Sequence, residues 1–88
     1  MVTITQISSA EIESKQIFSW PIWTCEVSEF NWEYAEEESC YIVEGTIEVY
    51  VDNKVFHISD GDFVVFDKGL QCRWKVLKPV KKHYTFNQ

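Results

Sequence analysis

The sequence predicts one small all-β domain, a barrel or sandwich of short antiparallel strands. Two observations carry that reading. From Ile22 onward apolar residues recur with a period of two, the spacing of strands with one buried face. The alternating runs are separated by Gly, Asp, Asn and Ser clusters at intervals of roughly 8 to 12 residues, the rhythm of strands joined by tight turns.

The elements follow in chain order. Val2 to Thr5 alternates and forms a short strand, and Ser8-Ser9-Ala10-Glu11 is a capping box that opens a single turn of helix before Phe18. Trp23, Cys25 and Val27 then share one face, as do Phe30, Trp32 and Tyr34, while Asn31 and Glu33 point away. Glu36-Glu37-Glu38 interrupts the pattern with charge. A strand from Ser39 to Val43, a turn at Glu44-Gly45 and a strand carrying Ile47, Val49 and Val51 on one face read as a hairpin. Asp52-Asn53 turns the chain into Lys54 to Ile58, and Ser59-Asp60-Gly61-Asp62 turns it again into Phe63 to Phe66. After Asp67-Lys68-Gly69, Leu70, Cys72, Trp74 and Val76 share a face, and Pro79 separates them from a last strand through Val80, Tyr84 and Phe86.

No repeat, linker or low-complexity tract divides the 88 residues, so residues 1–88 are read as one domain. A chain this short buries only about 60% of the surface its unfolded form exposes. Four Trp, four Tyr and six Phe offset that shortage, each able to bury roughly 150 to 250 Å². A homodimer interface is the second expected compensation.

A net charge of −6 argues against nucleic acid and anionic membrane as partners, since both are polyanions held by Lys and Arg. Lys75, Lys78, Lys81 and Lys82 cluster near the C-terminus and are expected to form a solvated strand edge. Cys25, Cys40 and Cys72 are odd in number and show no CxxC spacing, which points away from a disulfide framework or zinc knuckle and toward a reducing compartment. The N-terminus has no signal-peptide pattern, and no apolar run approaches membrane-spanning length. A cytoplasmic location is the expectation.

Two segments resemble a known family. Glu38-Ser39-Cys40-Tyr41-Ile42-Val43-Glu44-Gly45 resembles the second half of the first cupin motif, and Gly61 to Gly69 with Leu70-Gln71-Cys72 resembles the second. The motif remnants span residues 32–45 and 61–74. Together with Trp20-Pro21-Ile22-Trp23, Cys72-Arg73-Trp74 and Lys82-His83-Tyr84, they make the chain similar to small single-domain cupins. These are the cupins related to (S)-ureidoglycine aminohydrolase and EutQ. The resemblance implies a jelly-roll barrel that encloses a small molecule.

Metal-binding cupins place two histidines a few residues before the motif Glu and a third after the second-motif Gly. Here Trp32 and Tyr34 stand at the first two places and Cys72 at the third, so Glu38 and Cys72 are the only metal candidates at family ligand positions. A carboxylate with one thiolate falls short of the three or four donors a transition metal needs. No metal or other cofactor is expected.

The parity of Glu38 with Cys40 and Ile42 puts it on the face that receives Trp32, Tyr34, Cys72 and Trp74. Burial among rings disfavours a charged carboxylate, the device that tunes an acid or base toward neutral pH. The residues leave two readings open. Glu38 is a proton-transfer group with Tyr34 as partner, suited to isomerisation, epimerisation or hydrolysis, or it is held by Tyr34 or Arg73 as a structural carboxylate. Cys72 reads as packing, because no His is placed to activate it. The rings either stack on a flat ligand or fill the barrel. The expected pocket comprises Trp32, Tyr34, Glu38, Cys40, Cys72 and Trp74, with a small polar metabolite of sugar or ureido type as ligand. His57 is expected to face solvent, and His83 to lie on the surface or in an interface.

Overall fold

Two long strands carry the architecture. The computed structural model describes residues 1–87 and contains β1 (Val2–Gln6), α1 (Ser9–Ser14), a 3-10 turn (Ile17–Ser19), β2 (Ile22–Cys25), β3 (Ser28–Glu33), β4 (Glu37–Val51), β5 (Lys54–Ser59), β6 (Asp62–Phe66) and β7 (Gln71–Asn87). β4 and β7 pair with each other along both halves and bend midway. The N-terminal half of β4 also pairs with β6, which pairs with β1, and the C-terminal half of β7 pairs with β2. Past the bend, β4 pairs with β5 and β7 with β3. Every pairing is antiparallel, and the result is two layers joined by the bent strands, the cupin barrel that the resemblance implies.

The bend corrects two expectations. Glu44-Gly45 is not a hairpin turn, and Pro79 does not begin a new strand: β4 and β7 are continuous through both sites. Register shifts flank Glu44 and Thr46 on β4, opposite Lys78 and Lys81 on β7. Gly45 sits at φ +122°, where a Cβ would lie 2.7 Å from Val80 Cα and 2.8 Å from the Pro79 carbonyl oxygen. Glycine lets the two backbones close on each other, and Pro79, with no N–H to give, is tolerated where the ladder is already interrupted. The Gly45 N–H donates instead to Asp60 Oδ1 at 2.8 Å. The hairpin is one turn later, between β4 and β5, where Asp52 takes φ +52° as Asp and Asn readily do.

The period-two residues fill the space between the layers. Cys40, Ile42, Ile47, Val49, Ile58, Val64, Phe66, Trp74, Val76 and Val80 are all buried. Ser8 caps α1, accepting from the Glu11 N–H at 3.1 Å while the Glu11 carboxylate reaches back to Ser8, yet the helix buries no residue. The segment after it does the covering. Ile17 is fully buried, Phe18 meets the His83 ring edge-on at 5.3 Å, and the Trp20 carbonyl lies 3.0 Å from His83 Nδ1. His83 is therefore buried under its own chain, against the expectation of a surface or interface position, whereas His57 is exposed beside Glu48. Among the described residues no helix is long and apolar enough to cross a membrane.

Candidate functional site

A cavity of about 230 Å³ opens between the layers at one end of the barrel, lined by Trp23, Phe30, Trp32, Tyr34, Glu38, Trp74, Lys82, Tyr84 and Phe86. β2, β4 and the second half of β7 supply Trp23, Glu38, Lys82, Tyr84 and Phe86; β3 and the first half of β7 supply Phe30, Trp32 and Trp74. Tyr34 follows β3. Its N–H donates to the Leu70 carbonyl at 3.0 Å and its carbonyl accepts from the Gly69 N–H at 2.7 Å, so the turn before β7 fixes it.

The walls are rings packed on rings. Tyr34 stacks on Phe66 at 4.6 Å between centroids and 7° between planes. Phe30 stacks on Trp74 at 5.9 Å and Trp23 meets the same indole edge-on at 5.7 Å. Trp74 Nε1 donates to the Tyr34 hydroxyl at 3.2 Å, which satisfies a buried indole N–H and leaves the phenol its own proton to give. Burial, reinforced by the nearby Glu38 charge, drives the Tyr34 phenol far above its ordinary value, so it serves as a neutral donor. Trp32 and Phe86 stand about half exposed at the mouth.

The floor is an ion pair. Lys82 Nζ lies 2.6 Å from Glu38 Oε2, with side-chain exposures of 6% and 7%. The ammonium also sits 4.9 Å from the ring centroids of both Trp23 and Trp74, and 6.0 Å from those of Phe66 and Tyr84. Carboxylate and ring faces together supply the negative potential that a desolvated cation needs.

This floor corrects the reading of the C-terminal lysines. Lys82 is not on a solvated edge; it shares the inward parity of Val80, Tyr84 and Phe86, a signal already present in the sequence. It also replaces both partners expected for Glu38. Tyr34 bonds Trp74 instead, and Arg73 pairs outside the barrel with Glu29 at 2.8 Å.

Of the six residues expected to line the pocket, the cavity brings together Trp32, Tyr34, Glu38 and Trp74. Cys40 and Cys72 are both buried in the core, and Cys72 also borders a shallow groove that shares Trp32 with the cavity. Burial pushes the Cys40 thiol up to about 12 against the opposing pull of Lys82, and the Cys72 thiol up to about 11. Neither is a ready thiolate at neutral pH. With the motif carboxylate committed to Lys82, the residues here do not fit the metal of metal-binding cupins. Among the described residues no three His, Cys, Asp or Glu side chains are grouped to hold an ion.

Two antiparallel layers closed around an end-on pocket define a cupin. The chain belongs to the EutQ-like cupin domain family, whose profile matches residues 12–84. A DUF861 family protein from Thermotoga maritima is 46% identical and superposes with a TM-score of 0.96, over 99% of this chain and 100% of that one. The Clostridium difficile EutQ protein, 21% identical, shares the fold with a TM-score of 0.66 over 72% of this chain and 50% of its own. A DUF1255 protein of unknown function from Acidithiobacillus ferrooxidans, 16% identical, does so with a TM-score of 0.67 over 70% of this chain and 60% of its own. No curated protein matches the chain significantly.

Proposed function

We propose that this cupin binds a small polar metabolite, of sugar or ureido type, without a metal, as a cytoplasmic homodimer. The observation that carries the binding reading is the Glu38–Lys82 pair at 2.6 Å on the floor of a ring-walled cavity. A ligand there finds an acceptor in Glu38, donors in Lys82 and Tyr34, and flat faces on Trp74 and Phe30. Few polar groups fixed in an apolar cleft are the usual make-up of a metabolite site. The half-exposed rings of Trp32 and Phe86 give the ligand a stacking surface at entry.

A second reading makes the same site catalytic, with Glu38 as general acid or base. The contact with Lys82 favours it, because the ammonium, rather than the Tyr34 phenol, can exchange a proton with the carboxylate.

A thermal-shift screen of sugars, ureides and small carboxylates tests the binding reading. A ligand at a hundred times its Kd stabilises the fold by about 2.7 kcal/mol, a rise on the order of 10 °C for a domain of this size. The shift should vanish in Trp32→Ala and fall steeply in Lys82→Met. A shift untouched by both changes would place the ligand elsewhere. Turnover of a bound compound, lost in Glu38→Gln, would decide for the catalytic reading.

A further inference from the structure

We propose that Lys82 captures a small carbonyl compound, an aldehyde or ketone, as an imine inside the cavity, with Glu38 taking and returning the proton. This rests on the pocket reading above and names the ligand class and the atom that holds it.

Lys82 is the one buried lysine among the described residues; Lys15, Lys54, Lys68 and Lys78 are exposed, and Lys75 and Lys81 are partly so. Its ammonium carries three hydrogens and, among the described residues, has a single oxygen partner, Glu38 Oε2. Its other neighbours are the faces of Trp23, Trp74, Phe66 and Tyr84. A structural role does not require such a group, since a well-packed apolar pair of similar volume commonly serves stability as well or better. A carbonyl oxygen entering the cavity supplies the acceptor that the remaining N–H groups lack.

The same surroundings allow the amine to be uncovered. Nζ lies 2.6 Å from the Glu38 carboxylate, close enough to pass it one proton and leave a neutral amine beside a neutral acid. Desolvated lysines of this kind form Schiff bases with carbonyl substrates.

The amine nitrogen then attacks the carbonyl carbon. The N–C bond forms, the C=O π electrons move to oxygen, and a second Nζ proton passes to that oxygen to give a neutral carbinolamine. The Glu38 carboxylic acid protonates the hydroxyl, the C–O bond breaks, water leaves, and the nitrogen lone pair closes the C=N bond. The products are a protonated imine on Lys82, a Glu38 carboxylate and one water, with no oxidant or reductant consumed. The imine cation inherits the carboxylate and the ring faces that now hold the ammonium. A volume of about 230 Å³ is nearly eight times the ~30 Å³ share of a liquid water, room for a short aliphatic carbonyl or a single-ring aldehyde.

The test treats the intact protein at neutral pH with benzaldehyde or butanal and sodium cyanoborohydride, and follows each lysine by peptide mass spectrometry. Lys82 should be alkylated about tenfold faster than its neighbour Lys81, and Glu38→Gln should slow Lys82 by about tenfold while leaving Lys81 unchanged. Glu38→Asp serves in the same role if the Gln variant fails to fold, and the Lys82 to Lys81 ratio in the unmodified sequence needs no variant. Equal rates at the two lysines, or a Lys82 rate indifferent to Glu38, would overturn the proposal. Benzyl alcohol, which has the ring but no carbonyl, is titrated in parallel by tryptophan fluorescence. Binding of the alcohol with no aldehyde adduct overturns imine formation and spares the pocket, whereas failure of both overturns both.

Discussion

Lys82 stands opposite Ile42 in the β4–β7 register, yet its ammonium meets Glu38, whose own register partner is Phe86. The two Cα positions are separated by four residues of strand, ~13 Å at the rise of a β-strand. Both side chains therefore extend toward each other across the register position of Cys40 and Tyr84. The polar floor is built from extended side chains on two neighbouring strands, and each charge depends on the other for its solvation.

Removing one member should be costly. Lys82→Met leaves a carboxylate, and Glu38→Gln an ammonium, buried with no ionic partner, a loss of about 3 to 5 kcal/mol for either single change. The double change should recover most of it. Chemical denaturation of the four proteins completes a double-mutant cycle. Single losses below about 1 kcal/mol would mean that water already solvates the pair.

Gly45 should be the least replaceable glycine. Alanine there needs φ +122° and drives its Cβ toward the Val80 backbone and the Pro79 carbonyl, whereas a methyl group added at Gly69, at φ +84°, would have nothing within 4 Å. Gly69→Ala should cost about 1 to 2 kcal/mol from backbone conformation alone, and Gly45→Ala more than about 3 kcal/mol or a failure to fold. Equal losses would show that the bend can relax.

Alkali should weaken the fold through its thiols. The folded chain holds the Cys40 and Cys72 protons more tightly than the unfolded chain does, because burial raises Cys40 from 9.0 to about 12 and Cys72 from 9.0 to about 11. Their contribution is fully present below pH 9.0, and is lost as pH rises through about 11 and about 12. Unfolding free energy should therefore fall above pH 9, with a shallower slope in Cys40→Ala. At pH 8 a thiol reagent should modify the partly exposed Cys25 first and reach Cys40 and Cys72 only on unfolding.

Much of this was legible in the sequence because period-two burial is a local signal. Ile47, Val49, Phe56, Ile58, Trp74 and Val76 face inward as their parity requires, and the Ser8–Glu11 box caps a helix where it stands. What misled were residues with two uses. Gly45 and Pro79 read as chain punctuation, but opposite each other in a ladder they make a bulge and a bend. Lys82 reads as solvent-facing by type and inward by parity. Parity prevails because Glu38, remote in sequence, arrives from β4 to compensate the charge. His83 has outward parity, and its burial depends on Phe18 and Trp20, which no local pattern links to β7.

The Lys82 ammonium also decides how the cavity should treat metals. Protein purified without a metal-binding tag should carry no stoichiometric transition metal, because the donors at the motif positions are the wrong kind and the one carboxylate is already matched. The Trp32 indole has no lone pair to donate, the Tyr34 phenol holds its proton at any ordinary pH, and the Cys72 thiol, buried and raised to about 11, is no ready thiolate. A cation approaching Glu38 meets the ammonium 2.6 Å away, so binding would require displacing Lys82 from the carboxylate and the rings around it. Lys82→Ala removes that repulsion but still leaves a single carboxylate against the three or four donors a stable site uses. Both proteins should therefore lose added Zn²⁺ or Mn²⁺ on dialysis, with the variant retaining it only slightly longer. Plasma mass spectrometry after dialysis gives the answer. About one equivalent of Zn, Mn, Fe, Ni or Cu per chain, abolished by Glu38→Gln, would mean that Lys82 yields its place to a metal.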